Sequence, residues 1–528
     1  MDDRNTAKSE SVVWGRQPSQ FDAFARNISM DYIALAVEIV IGVVMLPFNI
    51  AHLGTAAYGL WVLTASVTAY FSMLDLGYGH AQVKFAAQYR ALRDKRALNE
   101  IVSTLFFIFA GIGLVAYSIA TLLAFNLESL FNITAEQAGT GRNVLLIIGA
   151  YVALGFPFSV FGGIVNGFQR QYVNGVVAIV TAVVAAIVNV VVLLAGYGLL
   201  ELVAATTTVR ILSYIAYRAN AYRVFPGLRI RPRFFSLVRL REVTGFSAFI
   251  LIIDLANKLN YGTDTLVIGV FMSTAMVAIW TVAQRLIDTT QQLTGTLNGV
   301  LFPVVVDSAT AGDGDRLRLV FLQGTRLSLA MVILMATGLV LLAHPVVMLW
   351  VGPAFTESVP VIYLLAVAVT LRVGNSTATT VLKGAGMHRL LALSNVALAV
   401  SNVVLSVLLV RRYGLIGVAL GTLMPLAAVS IFVLFPAACR RTGIPVSQAL
   451  SAAVWPAVWP TGLVACLLIV TRNLLSASPA TIVLQAALAS LAYASLFLGL
   501  AVPSGERRWY LDKGRLLLRR LNMAVATH

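Results

Sequence analysis

Apolar residues run along this chain in long blocks separated by short polar breaks. A membrane span needs about 20 apolar residues at ~1.5 Å rise each. About fourteen blocks meet that length. They lie near 28–50, 57–83, 101–125, 143–167, 173–196, 199–221, 246–271, 274–306, 317–343, 359–382, 388–410, 414–437, 452–471 and 479–502. No soluble domain interrupts them, and the longest break that would face outward is Asn126–Arg142. The pattern predicts an all-α, polytopic membrane protein.

Two neighbouring blocks are more polar than lipid allows. The first carries Asp254, Asn257, Lys258, Asn260, Tyr261 and Asp264. At about 100° per residue these fall within an arc of roughly 160°. The second gathers Thr281, Gln284, Arg285, Asp288, Gln291, Gln292 and Asn298 on one side of a helix. An ionised group near a bilayer centre costs at least ~2.5–3.5 kcal/mol unless it faces protein or water. Matching stripes on adjacent helices therefore imply a shared hydrated cavity, which we read as a transport pathway.

Composition agrees with the pattern. Of 528 residues, 59% are hydrophobic and 11% charged, and the mean hydropathy is +0.86. A formal charge of +16 suits a nucleic-acid partner, but the basic residues sit in short loops and form no solvated domain, so none is expected. Cys439 and Cys466 lie far apart in apolar sequence and offer neither a metal site nor a disulfide framework. The first apolar block is long enough to remain as a span, which argues against a removable signal peptide. No Walker phosphate loop is present, and no cofactor is expected.

Lys and Arg placement sets orientation. With the N-terminus in the cytoplasm, inside loops hold most of the basic residues, including the cluster Arg218 to Arg241 and the tail from Arg507 to Arg520. Outside loops hold only Arg142, Arg411, Arg412 and Arg472, of which the pair Arg411–Arg412 departs from the rule. Both termini are thus expected in the cytoplasm. Arg210, Lys258, Arg285, Arg326 and Arg372 remain within spans.

The chain also repeats itself. Gly54–Trp61 resembles Ser273–Trp280, Asn166-Gly167 resembles Lys383-Gly384, and Tyr197-Gly198-Leu199 recurs as Tyr413-Gly414-Leu415. The common shift is roughly 217 residues, which points to two six-helix halves in one orientation. The expected organisation is a cytoplasmic segment 1–27, an N-lobe 28–221, a basic linker 222–245, a C-lobe 246–437, two added helices within 452–502 and a basic tail 503–528 that reads as an interfacial helix. Gly163-xxx-Gly167 and Gly417-xxx-Gly421 read as close helix contacts, and Asp75 as architectural.

His52-Leu53-Gly54-Thr55-Ala56-Ala57-Tyr58-Gly59-Leu60-Trp61, Asp75-Leu76-Gly77-Tyr78-Gly79 and Val282-Ala283-Gln284-Arg285-Leu286 resemble the polysaccharide flippase family of the multidrug/oligosaccharidyl-lipid/polysaccharide exporter superfamily. The resemblance covers nearly the whole chain. It implies two pseudo-symmetric six-helix lobes around a central cavity, plus two C-terminal helices. It implies a polyprenyl-diphosphate-linked oligosaccharide as cargo, moved to the outer leaflet of the bacterial inner membrane for surface polysaccharide, with polysaccharide polymerases as partners. Related lipid II flippases carry a diphosphate-binding arginine in segment eight, matched here by Arg285. They also carry arginines in their first two spans, where this chain has Asp31, Glu38 and Asp75.

Lys258 and Arg285 fall at similar depth near mid-membrane, where two cations would hold a diphosphate. Asn257, Tyr261, Gln284 and Gln291 share their stripes and are expected to line the cargo path. The alternative is internal pairing, Lys258 with Asp254 and Arg285 with Asp288, at helical spacing. Arg210 and Arg372 are further cargo candidates, or bundle-facing residues held by neighbours. Asp31 and Glu38, seven apart on one helix face, are candidates for proton or sodium coupling if burial raises their proton affinity. Asp254 and Asp288 join them. An outer loop holding only Glu128, Glu136 and Arg142 is too poor for a polymerase or glycosyltransferase site. The remaining rivals are a cation-coupled multidrug exporter and a lipid II flippase.

Overall fold

The computed structural model describes residues 20–503, except 477, together with Arg507. The side chains of 20–25, 28, 246, 248–261, 295–300 and 303 lie outside that description. Among the described residues every regular element is helical: α1 (Gln20–Leu53), α2 (Thr55–Ala69), α3 (Tyr78–Ala91), α4 (Lys95–Phe125), α5 (Ala135–Gly167), α6 (Gln171–Leu194), α7 (Leu199–Val224), α8 (Leu237–Phe271) and α9 (Thr274–Thr310). After them come α10 (Gly314–Trp350), α11 (Ser358–Gly374), α12 (Ser376–Gly384), α13 (His388–Val429), α14 (Phe435–Thr442), α15 (Trp455–Leu474) and α16 (Pro479–Leu496).

Among the described residues, 11 helical stretches are long and apolar enough to cross a membrane. One of them, His388–Thr442, is 55 residues long and reverses at Gly414, whose φ of 56° and ψ of −134° are non-helical. It therefore makes two passes. The long helices α8 and α9 come in addition to these. The expectation of an all-α polytopic fold holds.

The chain forms two compact units, Met1–Thr281 and Val282–His528, which divide inside α9. In the first unit, α3, α4 and α5 enclose a core of Phe85, Leu98, Ile101, Leu105, Phe109, Val160 and Ile164. Gly163 and Gly167 of α5 make this possible. A methyl group at Gly163 would strike the Gln82 side chain, and one at Gly167 would strike Ala86. The buried Gln82 amide donates to the Val160 carbonyl, so the polar group is satisfied in the seam. Asp75 is architectural, as its position suggested. The backbone turns at Leu76 (φ 53°) and Gly77 (φ 75°), and the carboxylate accepts the Gly79 amide at 3.0 Å, capping α3.

In the second unit the hairpin within α13 is held by small residues and buried hydroxyls. A methyl at Gly417 would meet the Leu409 carbonyl, and one at Gly421 would meet Ser406. Asn402 donates to Thr422 Oγ1 at 2.9 Å across the seam. Such bonds are worth about 0.6 kcal/mol each in membrane bundles, so close packing contributes more than they do.

The three repeated motifs fall at equivalent joints. Gly54 and Ser273 each precede a helix start, at Thr55 and Thr274. Gly167 and Gly384 each end a helix, and Gly198 and Gly414 each begin the return leg of a hairpin.

Candidate functional site

Helix α9 presents Gln284, Arg285, Asp288 and Gln291 as half-buried residues, three of them at helical three-residue steps along one face. Arg285 lies about 17 Å along the helix axis from its start. Opposite, in the same unit, α11 carries Arg372 one turn before the chain bends at Asn375. That bend is fixed by the buried Asn375 amide, which donates to the Ser430 carbonyl at 3.0 Å. Arg372 Nη1 donates to Gln291 Oε1 at 3.2 Å. The Asp288 carboxylate lies within electrostatic reach of both Arg372 and Arg285. Two guanidiniums therefore act on one carboxylate, and one of them also binds a neutral amide, within a bundle of long apolar helices. Guanidinium forks match phosphate oxygens in pairs and stay charged when partly buried, so this arrangement suits a phosphorylated anion.

Asp288, three residues on from Arg285 along α9, feels that guanidinium electrostatically, and Arg372 acts on the same carboxylate from 84 positions away (372 − 288). Arg210 is exposed on α7 in the first unit, beside Tyr214, whose ring stacks on Tyr151 with centroids 5.7 Å apart and on Phe158 at 5.1 Å. Lys258, Asn257, Tyr261 and Asp254 have side chains outside the described residues.

Asp31 and Glu38 are exposed on α1. Asp31 accepts the Gln171 amide at 3.1 Å, tying α1 to the start of α6. No group of His, Cys, Asp and Glu suited to a metal ion occurs among the described residues.

Three features went unseen in the sequence. Arg326 on α10 is 4% exposed and donates from Nε at 2.9 Å and Nη2 at 2.6 Å to the Ala452 carbonyl. That carbonyl lies in a widened helical turn, Leu450–Val454, leading into α15. Arg239 at the start of α8 binds Glu100 at 3.3 Å and Glu242 at 3.1 Å, with Tyr89 Oη at 2.9 Å. The basic linker is laid along α4: Asn99 donates to the Gly227 carbonyl at 3.1 Å and accepts the Arg229 amide at 2.7 Å, while Thr104 accepts the Ser236 amide at 3.0 Å. Only the polar residues Asn99, Ser103 and Thr104, spaced along an apolar helix, hinted at a strap.

The fold is that of the MOP superfamily transporters. It is similar to the lipid II flippase MurJ in an inward closed conformation, with a TM-score of 0.68 at 13% identity over 89% of this chain and 98% of that one. It is also similar to an inward-facing multidrug resistance MATE family transporter, with a TM-score of 0.62 at 16% identity over 79% of this chain and 98% of the other. At such identities the likeness is one of fold. By sequence, the uncharacterized membrane protein EpsK of Bacillus subtilis (strain 168) is 22% identical over 351 residues, 65% of this chain and 68% of that one. Residues 53–360 match the family described as "Polysaccharide biosynthesis protein". That is more than half of the chain, and the chain belongs to this family. The family ties the chain to polysaccharide biosynthesis, and the fold is that of multi-pass membrane proteins.

Proposed function

We propose that the chain carries a polyprenyl-diphosphate-linked oligosaccharide from the cytoplasmic to the outer leaflet of a bacterial inner membrane, by alternating access of its two lobes, for export of surface polysaccharide. The observation that supports this reading is that Arg285 and Arg372 both act on Asp288 while Arg372 donates to Gln291. Cargo diphosphate takes the place of the Asp288 carboxylate between the two guanidiniums, and Gln284 and Gln291 hydrogen-bond the remaining oxygens. Lys258, Asn257 and Tyr261 complete the path from α8, and Arg210 meets the cargo from α7. Asp254 and Asp288 exchange protons or sodium as the cations are taken up by cargo, with Asp31 and Glu38 contributing at the α1–α6 contact. Both termini lie in the cytoplasm, and polysaccharide polymerases receive the product.

Membrane potential is a sufficient driver. Each elementary charge crossing gains ~2.3 kcal/mol per 100 mV, so a diphosphate with about two negative charges gains ~4–5 kcal/mol on leaving a negative interior. Complementation of a flippase-deficient strain tests the assignment. Arg285→Ala and Arg372→Ala are expected to abolish surface glycan at normal protein levels. Normal glycan from both variants would remove these residues from the pathway, and drug resistance without glycan rescue by the wild type would favour a multidrug exporter.

A further inference from the structure

A groove of about 430 Å³ lies in the second unit, between the chain entering α13 and the helical segment leading into α14. Its apolar wall is formed by Met387, Leu390, Phe432 and Pro436, and Arg440 and Arg441 line the same groove. The wall is shaped by local backbone chemistry. Residues Ser430–Leu434 form a widened π-type turn, and Pro436 has no amide to donate back into it. The turn leaves Phe432 77% exposed. Both arginines are exposed in the last turn of α14. Among the described residues neither takes part in an ion pair. Lys383 and Arg389, also exposed, flank the short loop opposite.

We infer that this groove binds an anionic phospholipid, with an acyl chain against Phe432, Leu390 and Pro436 and the phosphate on Arg440 and Arg441. The amphipathic pairing is the reason. An apolar trough at the end of a membrane-spanning helix takes an acyl chain, and two adjacent guanidiniums beside it take a phosphate that a neutral lipid does not leave in net negative charge. The basic loops on both sides place the groove at the cytoplasmic leaflet by the positive-inside rule. The groove lies away from Arg285 and Arg372 in sequence and does not depend on the cargo assigned above.

The test uses the full-length protein, delipidated in detergent and titrated with phosphatidylglycerol or phosphatidylcholine, with bound lipid counted by native mass spectrometry. One tight phosphatidylglycerol is expected, and phosphatidylcholine is expected to bind more weakly. The double variant Arg440→Gln/Arg441→Gln is expected to weaken phosphatidylglycerol roughly 30-fold, on the order of 1 kcal/mol per basic residue. Val433→Trp, which fills the groove while keeping both arginines, is expected to displace the same lipid. Unchanged retention in either variant, with thermal stability preserved, overturns the proposal. So does loss of the lipid in the charge variant alone, which reports loop charge without a groove. Displacement of phosphatidylglycerol by an equal amount of polyprenyl diphosphate would give the groove to cargo instead.

Discussion

Two clusters of charge in this protein use the same residue types to opposite ends. In the first unit Arg239 is gripped. Its guanidinium reaches Glu100 and Glu242 at 3.3 and 3.1 Å, lies over the Tyr89 ring at 5.1 Å, and shares Glu100 with Arg96 at 2.9 Å. Cations and carboxylates alternate, and three helices (α3, α4 and α8) are fastened by it. In the second unit Arg285 and Arg372 both act electrostatically on Asp288, and Arg372 donates a hydrogen bond to the neutral Gln291. A cluster of alternating charge holds helices together, whereas a carboxylate facing two guanidiniums is, in the function proposed above, the group that an incoming dianion replaces. The difference separates a clamp from the cluster proposed above as the cargo site.

The strongest break of that comparison is removal of the cations. Arg285→Ala and Arg372→Ala each delete charge-assisted bonds worth about 1.5–3 kcal/mol to a phosphate. Each is expected to cut reconstituted flipping of a polyprenyl-diphosphate probe by roughly 10–100-fold. Arg239→Gln is expected to spare that activity per folded molecule. Activity lost equally in Arg239→Gln would erase the distinction.

Asp288→Asn sharpens it. With the shared carboxylate neutralised, cargo no longer has a competitor, so binding of a diphosphate headgroup in equilibrium dialysis is expected to tighten several-fold while turnover slows because release is impaired. Weaker binding in Asp288→Asn would mean that the carboxylate contacts cargo through a cation instead of competing with it.

Stability gives a smaller effect. The side chains of the clamp are partly exposed, and screened ion pairs are worth at most about 1 kcal/mol each. Arg239→Gln is accordingly expected to lower the melting temperature by a few degrees, and Arg285→Ala to leave it nearly unchanged. The smallest effect concerns Tyr89. Burial, then its hydrogen bond to Glu242, holds its hydroxyl protonated above the ordinary value of 10.0. The folded protein keeps a proton that the unfolded chain gives up above about pH 10. That stabilisation is fully present below pH 10 and is lost as pH rises through the folded value. Tyr89→Phe is expected to flatten the fall in melting temperature above about pH 10, and an unchanged slope would show that the hydroxyl does not contribute.

Much of this was legible along the chain. Apolar block length announced the helices, because a bilayer fixes how many residues a crossing needs. Gly163, Gly167, Gly417 and Gly421 announced close seams, and each now faces a neighbour that leaves no room for a methyl. Arg285 and Asp288 could be paired by helical spacing. Arg372 and Arg210 could not be told apart: each is one arginine in an apolar span. Folding brings Arg372 to Gln291 and leaves Arg210 exposed beside Tyr214. The clamp was hidden for a similar reason, since Tyr89 and Arg239 meet across 150 positions with no periodicity linking them.

Sequence by itself determined the all-helical build, the long apolar stretches and most of the joints between them. These follow from the local cost of exposing polar groups to hydrocarbon, and that cost is paid residue by residue. Tertiary structure alone decided which buried charges meet. A guanidinium's role depends on what stands within about 4 Å of it, and the neighbours of Arg239, Arg326 and Arg372 come from helices that are distant in the chain.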